Sequence, residues 1–528
     1  MSGSGDPSRI QGMPLSPAPA MPAEPPNRRA PEPLRQAPNP ALDIGPEEFR
    51  RLGHELVDRI SEMLAAMPAG RVTPGEPPRA VRAALGGNGL PAEGTAPAAL
   101  LREATDLLHS HSLHNGHPRF WGYVTASAAP LGMLGDLLAA SVNPNVGASI
   151  LSPIATEIEL QAVRWIAELV GCPAGTGGLL VSGGNMANIV GLLAARRAKA
   201  PGDVRADGVR GGPPLAVYAS TETHTWVQKA ADLMGIGTGA IRWIPVDREG
   251  RMRVDALEAA IAADRAAGVH PIAVVGTAGT VGTGAVDPLR AIARTCRAHD
   301  LWFHVDGAYG GPAAALPESD PDFRALGDAD SIALDPHKWL YAPLEAGCVL
   351  VRDPDTLSRA FSFDPVYYNF AGDPDDPPVN FLTLGPQNSR GFRALKVWLG
   401  LRQAGRDGLV RLIREDIALT RALHRAVAEH PDLEPLTCRL SISTFRYLPP
   451  DLRADADRHG EYLDRLNKAI LDRLQRGGEA FVSNAVVDGR YALRACIVNF
   501  RTTLADVEAL PEIILRIGRE ADASLRDA

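Results

Sequence analysis

The sequence lacks several features that mark whole classes of protein. It has only five cysteines among 528 residues, and they lie far apart without a CxxC pair, so neither a disulfide framework nor a zinc or other metal site is expected. No run of about 18 apolar residues is present, which argues against a membrane-spanning helix. The first residues also lack the apolar stretch of a secretory signal. These absences together favour a reducing, cytoplasmic location.

Basic residues do not outnumber acidic ones. The chain has 54 Lys and Arg against 62 Asp and Glu, and its formal net charge is −8 at pH 7. Because binding to a phosphate backbone favours a basic face, a nucleic acid is not an expected partner, and no membrane partner is expected either. With 45% hydrophobic and 22% charged residues, the composition is that of a globular protein of two or three domains.

Composition and periodicity divide the chain into four parts. Residues 1–44 are rich in Pro and Ala and cannot bury enough apolar surface to offset their ordering entropy, so they are predicted to be a disordered tail. Apolar residues then recur at helical spacing, and 45–120 is predicted to be an N-terminal helical segment. Farther along, Ser152 followed by Pro153 predicts a helix start that is capped by the serine side chain.

Short β-branched runs alternate with helical stretches in the middle of the chain. This alternation predicts an α/β fold whose large domain, 121–400, holds a mainly parallel sheet covered by helices. Residues 401–528 have a different pattern, which indicates a smaller α+β domain with strands near 438–447 and 491–499. The strands predicted in the large domain are 215–219, 241–246, 271–277, 301–306, 331–335 and 347–351, and the helices between them are 223–235, 255–267 and 288–299.

An acidic side chain stands at the end of one of these strands. In LWFHVDGAYGG (301–311) the apolar strand ends on Asp306, and small residues follow directly. Ligands in open parallel sheets bind beyond the carboxyl ends of the strands, so this carboxylate is placed to meet one. Alternatively, Asp306 caps the helix that follows.

The next predicted strand ends in a segment that contains a lysine. In ALDPHKWLYAPLEAG (333–347), Lys338 follows Asp335 and is flanked by bulky apolar groups. Desolvation there is expected to lower the pKa of the amine and free it as a nucleophile. The alternative is an exposed loop lysine, the commoner fate of a single Lys.

Three further segments contain candidate ligand groups. Gly183-Gly184-Asn185 opens an amphipathic helix whose free N–H groups suit a phosphate, although such a turn is often only a loop. In the Gly/Thr-rich segment 276–288, Thr277 and Thr280 either contact a ligand or cap the turn. His224 lies where a strand leads into a helix, and a lone histidine there is commonly structural. Pyridoxal phosphate reconciles these candidates, because it requires a lysine, an acidic partner, a phosphate site and a group that stacks on its ring.

The segments HPRFWGYVTAS, HVDGAYGG and DPHKW occur in this order. With them the sequence resembles the group II pyridoxal-phosphate-dependent decarboxylases, the family of aromatic-L-amino-acid decarboxylase, from about residue 45 to the C-terminus. The resemblance implies the aspartate-aminotransferase-type fold (fold type I), pyridoxal 5'-phosphate as cofactor, and a homodimer with its sites at the interface.

The resemblance also implies roles for individual residues. Lys338 would bind the cofactor covalently, Asp306 would pair with its pyridine nitrogen, and His224 would stack on its ring. Asp335 stands where relatives carry an asparagine, and its carboxylate would repel the phosphate unless His337 is protonated. Further cofactor contacts are implied for Gly184, Asn185, Thr277, Ala308, Asp335 and His337, and substrate contacts for Tyr123, Thr125, Val146 and Ala148. The last two lie in a segment, 143–150, that relatives contribute to the pocket of the neighbouring subunit.

The activity implied is decarboxylation of an L-amino acid, with an aromatic substrate favoured over a non-aromatic one. Tyr367, on a loop expected to be mobile, would supply the proton that reaches the α-carbon. An aldehyde synthase, which decarboxylates and then oxidatively deaminates, is the alternative enzyme, although such relatives usually carry phenylalanine at this position. A catalytically inactive protein of the same fold is the alternative of another class, and the joint presence of Lys338, Asp306 and His224 argues against it.

Overall fold

The computed structural model describes residues 42–527, apart from 88, 364–374 and 376. Tyr367 lies outside the described residues, and its role stays a prediction. The first described part is helical and comprises α1 Gly45–Ala66, α2 Pro78–Leu85 and α3 Pro97–His111. Each of these helices has proline in its first turn, where the missing N–H costs no hydrogen bond. Helices α1 and α3 pack against each other.

A seven-stranded sheet forms the centre of the described structure, with the strand order β1-β7-β6-β5-β4-β2-β3. Its strands are β1 Gly177–Val181, β2 Leu215–Ser220, β3 Ile241–Ile244, β4 His270–Thr277, β5 Trp302–Asp306, β6 Ser331–Leu334 and β7 Gly347–Val351. Neighbouring strands from β3 through β6 run parallel. Only β7 runs antiparallel to both of its neighbours, so the predicted mainly parallel sheet is confirmed.

Helices cover both faces of this sheet. Those that contact its strands are α5 Pro153–Leu169, α6 Gly184–Lys199, α7 Trp226–Leu233, α8 Val254–Ala266 and α9 Leu289–Ala298. Two more helices of this part, α4 Pro130–Val142 and α10 Asp355–Phe361, pack mainly against other helices. Along β2, Ala216 and Tyr218 belong to one hydrophobic core, and Val217 and Ala219 belong to the other. A central strand buried on both faces reads as an unbroken apolar run, which is how the sequence presents it.

The helix that begins after Ser152 is not capped as predicted. The helix α5 does start at Pro153, but the serine side chain makes no capping hydrogen bond to it. Instead Ser152 Oγ donates to the backbone oxygen of Asn145 at 3.0 Å. The serine therefore fixes the preceding loop rather than the helix end.

A second sheet forms the centre of the smaller C-terminal part. Its strands, in the order β10-β11-β9-β8, are β8 Leu433–Arg439, β9 Ile442–Tyr447, β10 Ser483–Val487 and β11 Arg490–Cys496. The region near 438–447 is thus the turn and second arm of a hairpin rather than one strand. Helices α11 Ala394–Glu429, α12 Gly460–Gly477 and α13 Leu504–Arg526 pack with this sheet. Among the described helices, none is long and apolar enough to cross a membrane.

Candidate active site

A cavity of about 240 Å³ lies at the carboxyl edge of the large sheet. Its walls come from strand ends and from the first turns of helices, which the parallel register of β4, β5 and β6 brings to one edge. The predicted site residues on its wall are Tyr123, Thr125, Gly184, Asn185, His224, Thr277, Asp306, Ala308 and Lys338. Segments far apart in the sequence therefore meet where ligands of such sheets bind.

Lys338 is held as an ammonium rather than as a free amine. Its Nζ lies 2.9 Å from Asp335 Oδ2. Burial alone would lower the pKa of Lys338, but the charges of Asp335 and Asp306 outweigh burial and raise the pKa above its usual value. The expectation that desolvation frees the amine is wrong for the protein without its cofactor, because a carboxylate in direct contact opposes it.

Asp306 is buried at the end of β5, and both of its oxygens accept hydrogen bonds. Oδ2 accepts from Trp226 Nε1 at 2.6 Å, and Oδ1 accepts from the backbone N–H of Ala308 at 3.1 Å. The carboxylate thus holds the turn that follows and also faces the cavity. The next helical element of the described chain, Gly311–Ala315, has Gly310 at its N-cap and no side-chain cap, so the alternative in which Asp306 caps the following helix is wrong.

His224 presents an uncharged ring to the cavity. Its Nδ1 accepts a hydrogen bond from the backbone N–H of Trp226 at 3.2 Å, so the proton of the neutral ring lies on Nε2. Burial lowers the pKa of His224, and the nearby charge of Asp306 only partly opposes this. A neutral imidazole on the cavity wall is suited to stack on an aromatic ring.

The first turn of α6 is built to admit an anion. A Cβ on Gly184 would lie 2.5 Å from Asp335 Oδ2 and 2.9 Å from the Cβ of Ala308, so only glycine fits there. In the described structure no side chain caps the N-terminus of α6, which leaves its first N–H groups for a ligand.

The threonines of the 276–288 loop have different environments. Thr277 lies on the cavity wall, and its buried Oγ1 has no hydrogen-bond partner among the described residues. Thr280 Oγ1 instead accepts from the backbone N–H of Ala285 at 3.1 Å and holds the turn. The orphaned hydroxyl of Thr277 and the open first turn of α6 together fit a cofactor with a phosphate and a polar ring.

Asp335 and His337 lie behind Lys338 rather than on the cavity wall. His337 Nε2 is 3.7 Å from Asp335 Oδ2, but burial lowers the pKa of His337 despite this carboxylate. A protonated His337 is therefore not what offsets the charge of Asp335. The ammonium of Lys338, at 2.9 Å, does so instead.

The four predicted substrate residues separate into two pairs. Tyr123 and Thr125 lie on the cavity wall, and Tyr123 adopts a left-handed backbone conformation with φ 52°. Val146 and Ala148 are only 0% and 1% exposed within their own subunit, and they pack in its interior. The structure does not bring this second pair to the cavity, nor does it leave their side chains open to a neighbour.

Two residues at the site were missed by the sequence reasoning. Trp226 lies on the cavity wall and donates to Asp306. Arg494 in β11 is buried and donates from Nη1 to the backbone oxygen of Val281 on the cavity wall. No described residue accepts a hydrogen bond from its Nε or Nη2. Burial lowers the pKa of Arg494. The sequence did contain a signal for Arg494, which stands inside the apolar run ALRACIV. A charged side chain in such a run is almost never fully buried unless it has a partner.

Comparisons with known proteins agree with this geometry. The family model for the pyridoxal-dependent decarboxylase conserved domain matches residues 83–444. An aromatic-L-amino-acid decarboxylase of Bacillus atrophaeus is 32% identical over 477 residues, which cover 90% of this chain and 96% of the relative. A phenylacetaldehyde synthase of a Rosa hybrid cultivar is 29% identical, covering 87% and 91%. The crystal structure of Oryza sativa TDC with PLP and tryptamine superimposes with a TM-score of 0.84 at 28% identity, covering 90% and 99%.

Proposed function

Since this chain belongs to the pyridoxal-dependent decarboxylase family and is therefore a pyridoxal-phosphate-dependent carboxy-lyase, we propose that it converts an aromatic L-amino acid to the corresponding amine and carbon dioxide. One observation carries the proposal. A single cavity brings together the amine of Lys338, the carboxylate of Asp306, the imidazole of His224 and the open first turn of α6.

Each of these groups has a role that its surroundings support. Lys338 holds the cofactor covalently, the first turn of α6 and Thr277 bind its phosphate and polar edge, and His224 stacks on its ring. When bound, pyridoxal phosphate supplies an electron sink for the charge left on the α-carbon as carbon dioxide departs. Asp306 keeps a proton on the ring nitrogen, because an ionised carboxylate favours a positive partner.

Arg494 is the proposed partner of the substrate carboxylate. Its guanidinium is buried beside the cavity, and two of its nitrogens lack hydrogen-bond partners within the part of the chain that the structure describes. An unpaired buried charge is costly, and a carboxylate accepts two parallel N–H bonds from a guanidinium. The arginine thus orients the group that leaves and excludes substrates that lack it.

The aromatic substrate class rests on the relatives and on the residues at the cavity. Among the similar proteins are an aromatic-L-amino-acid decarboxylase and a protein crystallised with tryptamine. In this chain the ring of Tyr123 lies 6.4 Å from the ring of Phe481, and Val124 also lines the cavity. Aromatic and apolar groups at the mouth favour an aromatic substrate side chain.

The alternative function is that of an aldehyde synthase, because one of the similar proteins carries that name. We propose Tyr367 as the group that protonates the α-carbon, which directs the reaction to the amine. Under air, an enzyme that makes amine alone releases no hydrogen peroxide, whereas an aldehyde synthase releases aldehyde, ammonia and peroxide. Product analysis with and without oxygen separates the two.

We also propose that the enzyme is a cytoplasmic homodimer in which residues 45–120 pack on the partner subunit. All five cysteines are free, which suits a reducing compartment. Helices α1 and α3 bury few of their side chains within this chain, chiefly Leu52 and Thr105, so their apolar side chains remain available to a second copy.

The test has a chemical arm and a product arm. Borohydride reduction of the protein loaded with pyridoxal phosphate, followed by peptide mapping, is expected to place the label on Lys338. The Lys338→Ala variant should carry no label, whereas Lys468→Ala, on helix α12, should be labelled normally. The product arm measures carbon dioxide from a panel of aromatic and non-aromatic amino acids. A label on another lysine, or release only from non-aromatic substrates, would refute the corresponding half of the proposal.

A further inference from the structure

Trp226 reaches both groups that are proposed to contact the cofactor ring. Its indole Nε1 donates to Asp306 Oδ2 at 2.6 Å, and its backbone N–H donates to His224 Nδ1 at 3.2 Å. The side chain is fully buried at the start of α7. One residue therefore sets the direction of the Asp306 carboxylate and the tautomer of His224.

We propose that Trp226 is a positioning residue that keeps the Asp306 carboxylate aimed at the ring nitrogen of the cofactor. The proposal rests on the proposed role of Asp306. A buried carboxylate is costly unless donors satisfy it, and the structure gives Asp306 two neutral donors, the indole of Trp226 and the N–H of Ala308. A carboxylate has about four lone-pair sites, so these two bonds leave room for the ring nitrogen proton.

The indole of Trp226 is itself held in place by a contact with His304. Its ring meets His304 edge-on, with centroids 5.6 Å apart and planes at 74°. His304 is fixed by Ser331 Oγ and Asn188 Oδ1, each at 2.7 Å. Burial lowers the pKa of His304 to about 4, so this ring is uncharged near neutral pH. It therefore adds no positive charge that would replace the hydrogen bond from Trp226.

Loss of the indole donor should weaken the binding of the proton on the ring nitrogen of the cofactor. Without the bond from Trp226, the Asp306 carboxylate loses one of its two donors and its fixed direction, so it stabilises the ring-nitrogen proton less well. A hydrogen bond to a charged group is worth enough to change such a balance by about tenfold to a hundredfold. Turnover should fall by a similar factor at nearly unchanged KM, because only the electron sink is weakened.

The experiment measures directly whether the ring nitrogen of the cofactor is protonated. Holoenzyme reconstituted with pyridoxal phosphate labelled with ¹⁵N in its ring is studied by solid-state NMR at pH 7. Trp226 is replaced by phenylalanine and, by codon suppression, by 3-benzothienylalanine, which keeps the shape of indole but has sulfur in place of the N–H. In both variants the ¹⁵N signal should move toward the unprotonated position. Trp121→Phe, which loses a buried indole donor to Thr502, should leave the signal at the wild-type position.

Each outcome separates this proposal from the proposed function. If both variants keep the wild-type signal and turnover, Trp226 does not position Asp306. If only the phenylalanine variant changes, packing rather than the donor is responsible, and the proposal is overturned. If phenylalanine prevents folding, the isosteric variant decides alone. A wild-type ring nitrogen that is already unprotonated would instead overturn the role of Asp306, and failure to bind the cofactor would overturn the proposed function.

Discussion

One carboxylate determines the state in which Lys338 meets the cofactor. Asp335 Oδ2 lies 2.9 Å from the lysine Nζ, and both groups belong to the short segment that links β6 to β7. Only the neutral amine attacks a carbonyl carbon. Because Asp335 and Asp306 raise the pKa of Lys338 against the effect of burial, cofactor capture has to draw the proton away from an ion pair.

Replacing Asp335 by asparagine should therefore speed cofactor capture at neutral pH. The amide keeps the shape but removes the charge, so the pKa of Lys338 falls and the neutral amine appears at lower pH. An opposite charge in contact shifts a pKa by about 1–3 units, and the midpoint of the rate against pH should move down by about one unit or more. Stopped-flow absorbance with the apoprotein measures this.

A matched variant distinguishes the ion pair from a general loss of negative charge. Asp255→Asn removes an exposed carboxylate that pairs with Arg253, and it should leave the midpoint in place. Removal of repulsion between Asp335 and the cofactor phosphate would raise the rate equally at every pH. An Asp335→Asn profile with an unchanged midpoint would show that the carboxylate does not hold the lysine proton.

The sequence located the strand-end residues of the site but not their neighbours. Asp306 and Lys338 were found because the carboxyl ends of parallel strands meet at one edge, a rule that needs no coordinates. Trp226 and Arg494 were not found, since their contacts depend on how distant segments come together. The predicted direction of the pKa shift of Lys338 was wrong. Burial lowers this pKa and nearby carboxylates raise it, and the balance depends on the contact with Asp335, which only the structure shows.

The first turn of α6 is the element on which the proposed phosphate binding depends. It is packed closely against the lysine segment, so that a methyl group at Gly184 would lie 2.5 Å from Asp335 Oδ2. Such a contact has to push the turn or the carboxylate away. The N–H groups of the turn would then no longer converge on one point.

Gly184→Ala should consequently weaken cofactor binding while the protein still folds. Overpacking of this kind costs about 1–3 kcal/mol, and if half of this cost falls on the bound state, the affinity should fall by about twofold to tenfold. Equilibrium titration by absorbance gives the dissociation constant, and circular dichroism reports folding. Gly400→Ala, at a helical glycine whose Cβ would meet open space, is the control. Equal affinity in both variants would show that the turn does not bind the phosphate.

Elements with strong apolar runs were predicted well, and those set by long-range pairing were not. The strand predicted at 215–219 is β2 Leu215–Ser220, and the helix predicted at 255–267 is α8 Val254–Ala266. The strand β1 Gly177–Val181 was missed, because two glycines weaken its local signal and its pairing is with β7, far along the chain. The antiparallel direction of β7 likewise follows from its return through a loop rather than a helix.

At the scale of the whole molecule, exposed apolar side chains are concentrated in a few stretches of chain. Single exposed apolar residues are normal, but neighbouring ones mark an interaction surface. We define a dimer patch by the exposed residues of helix α4 and of the segment that follows it, namely Leu134, Leu137, Leu138, Val142, Ile150, Leu151 and Ile154. The exposed Phe49 and Leu108 of α1 and α3 add to the apolar surface that a second copy could cover.

The two residues that were predicted to line a neighbour's pocket are not part of the dimer patch. Val146 and Ala148 were expected to face a neighbour's pocket, yet both are buried in their own subunit. Their hydrophobic character comes from core packing, which the sequence does not distinguish from an interface. The exposed Ile150 and Leu151, directly after them, are the better candidates for contact with a second copy.

The wild-type protein should therefore be a dimer of 56.0 kDa chains whose stability depends on the dimer patch. Replacing both Leu137 and Leu138 by glutamate places two charges in an apolar interface, where desolvation is costly, and should raise the dimer dissociation constant by about a hundredfold or more. These residues lie on the exposed side of α4, so the subunit itself should still fold. Light scattering over a range of concentrations measures the mass, and turnover at the same concentrations shows whether activity follows the dimer. Val486→Glu, at an exposed apolar position in β10 outside the patch, should remain dimeric and active. An active wild-type monomer at assay concentration, or a doubly substituted protein that stays dimeric, would exclude this surface as the interface.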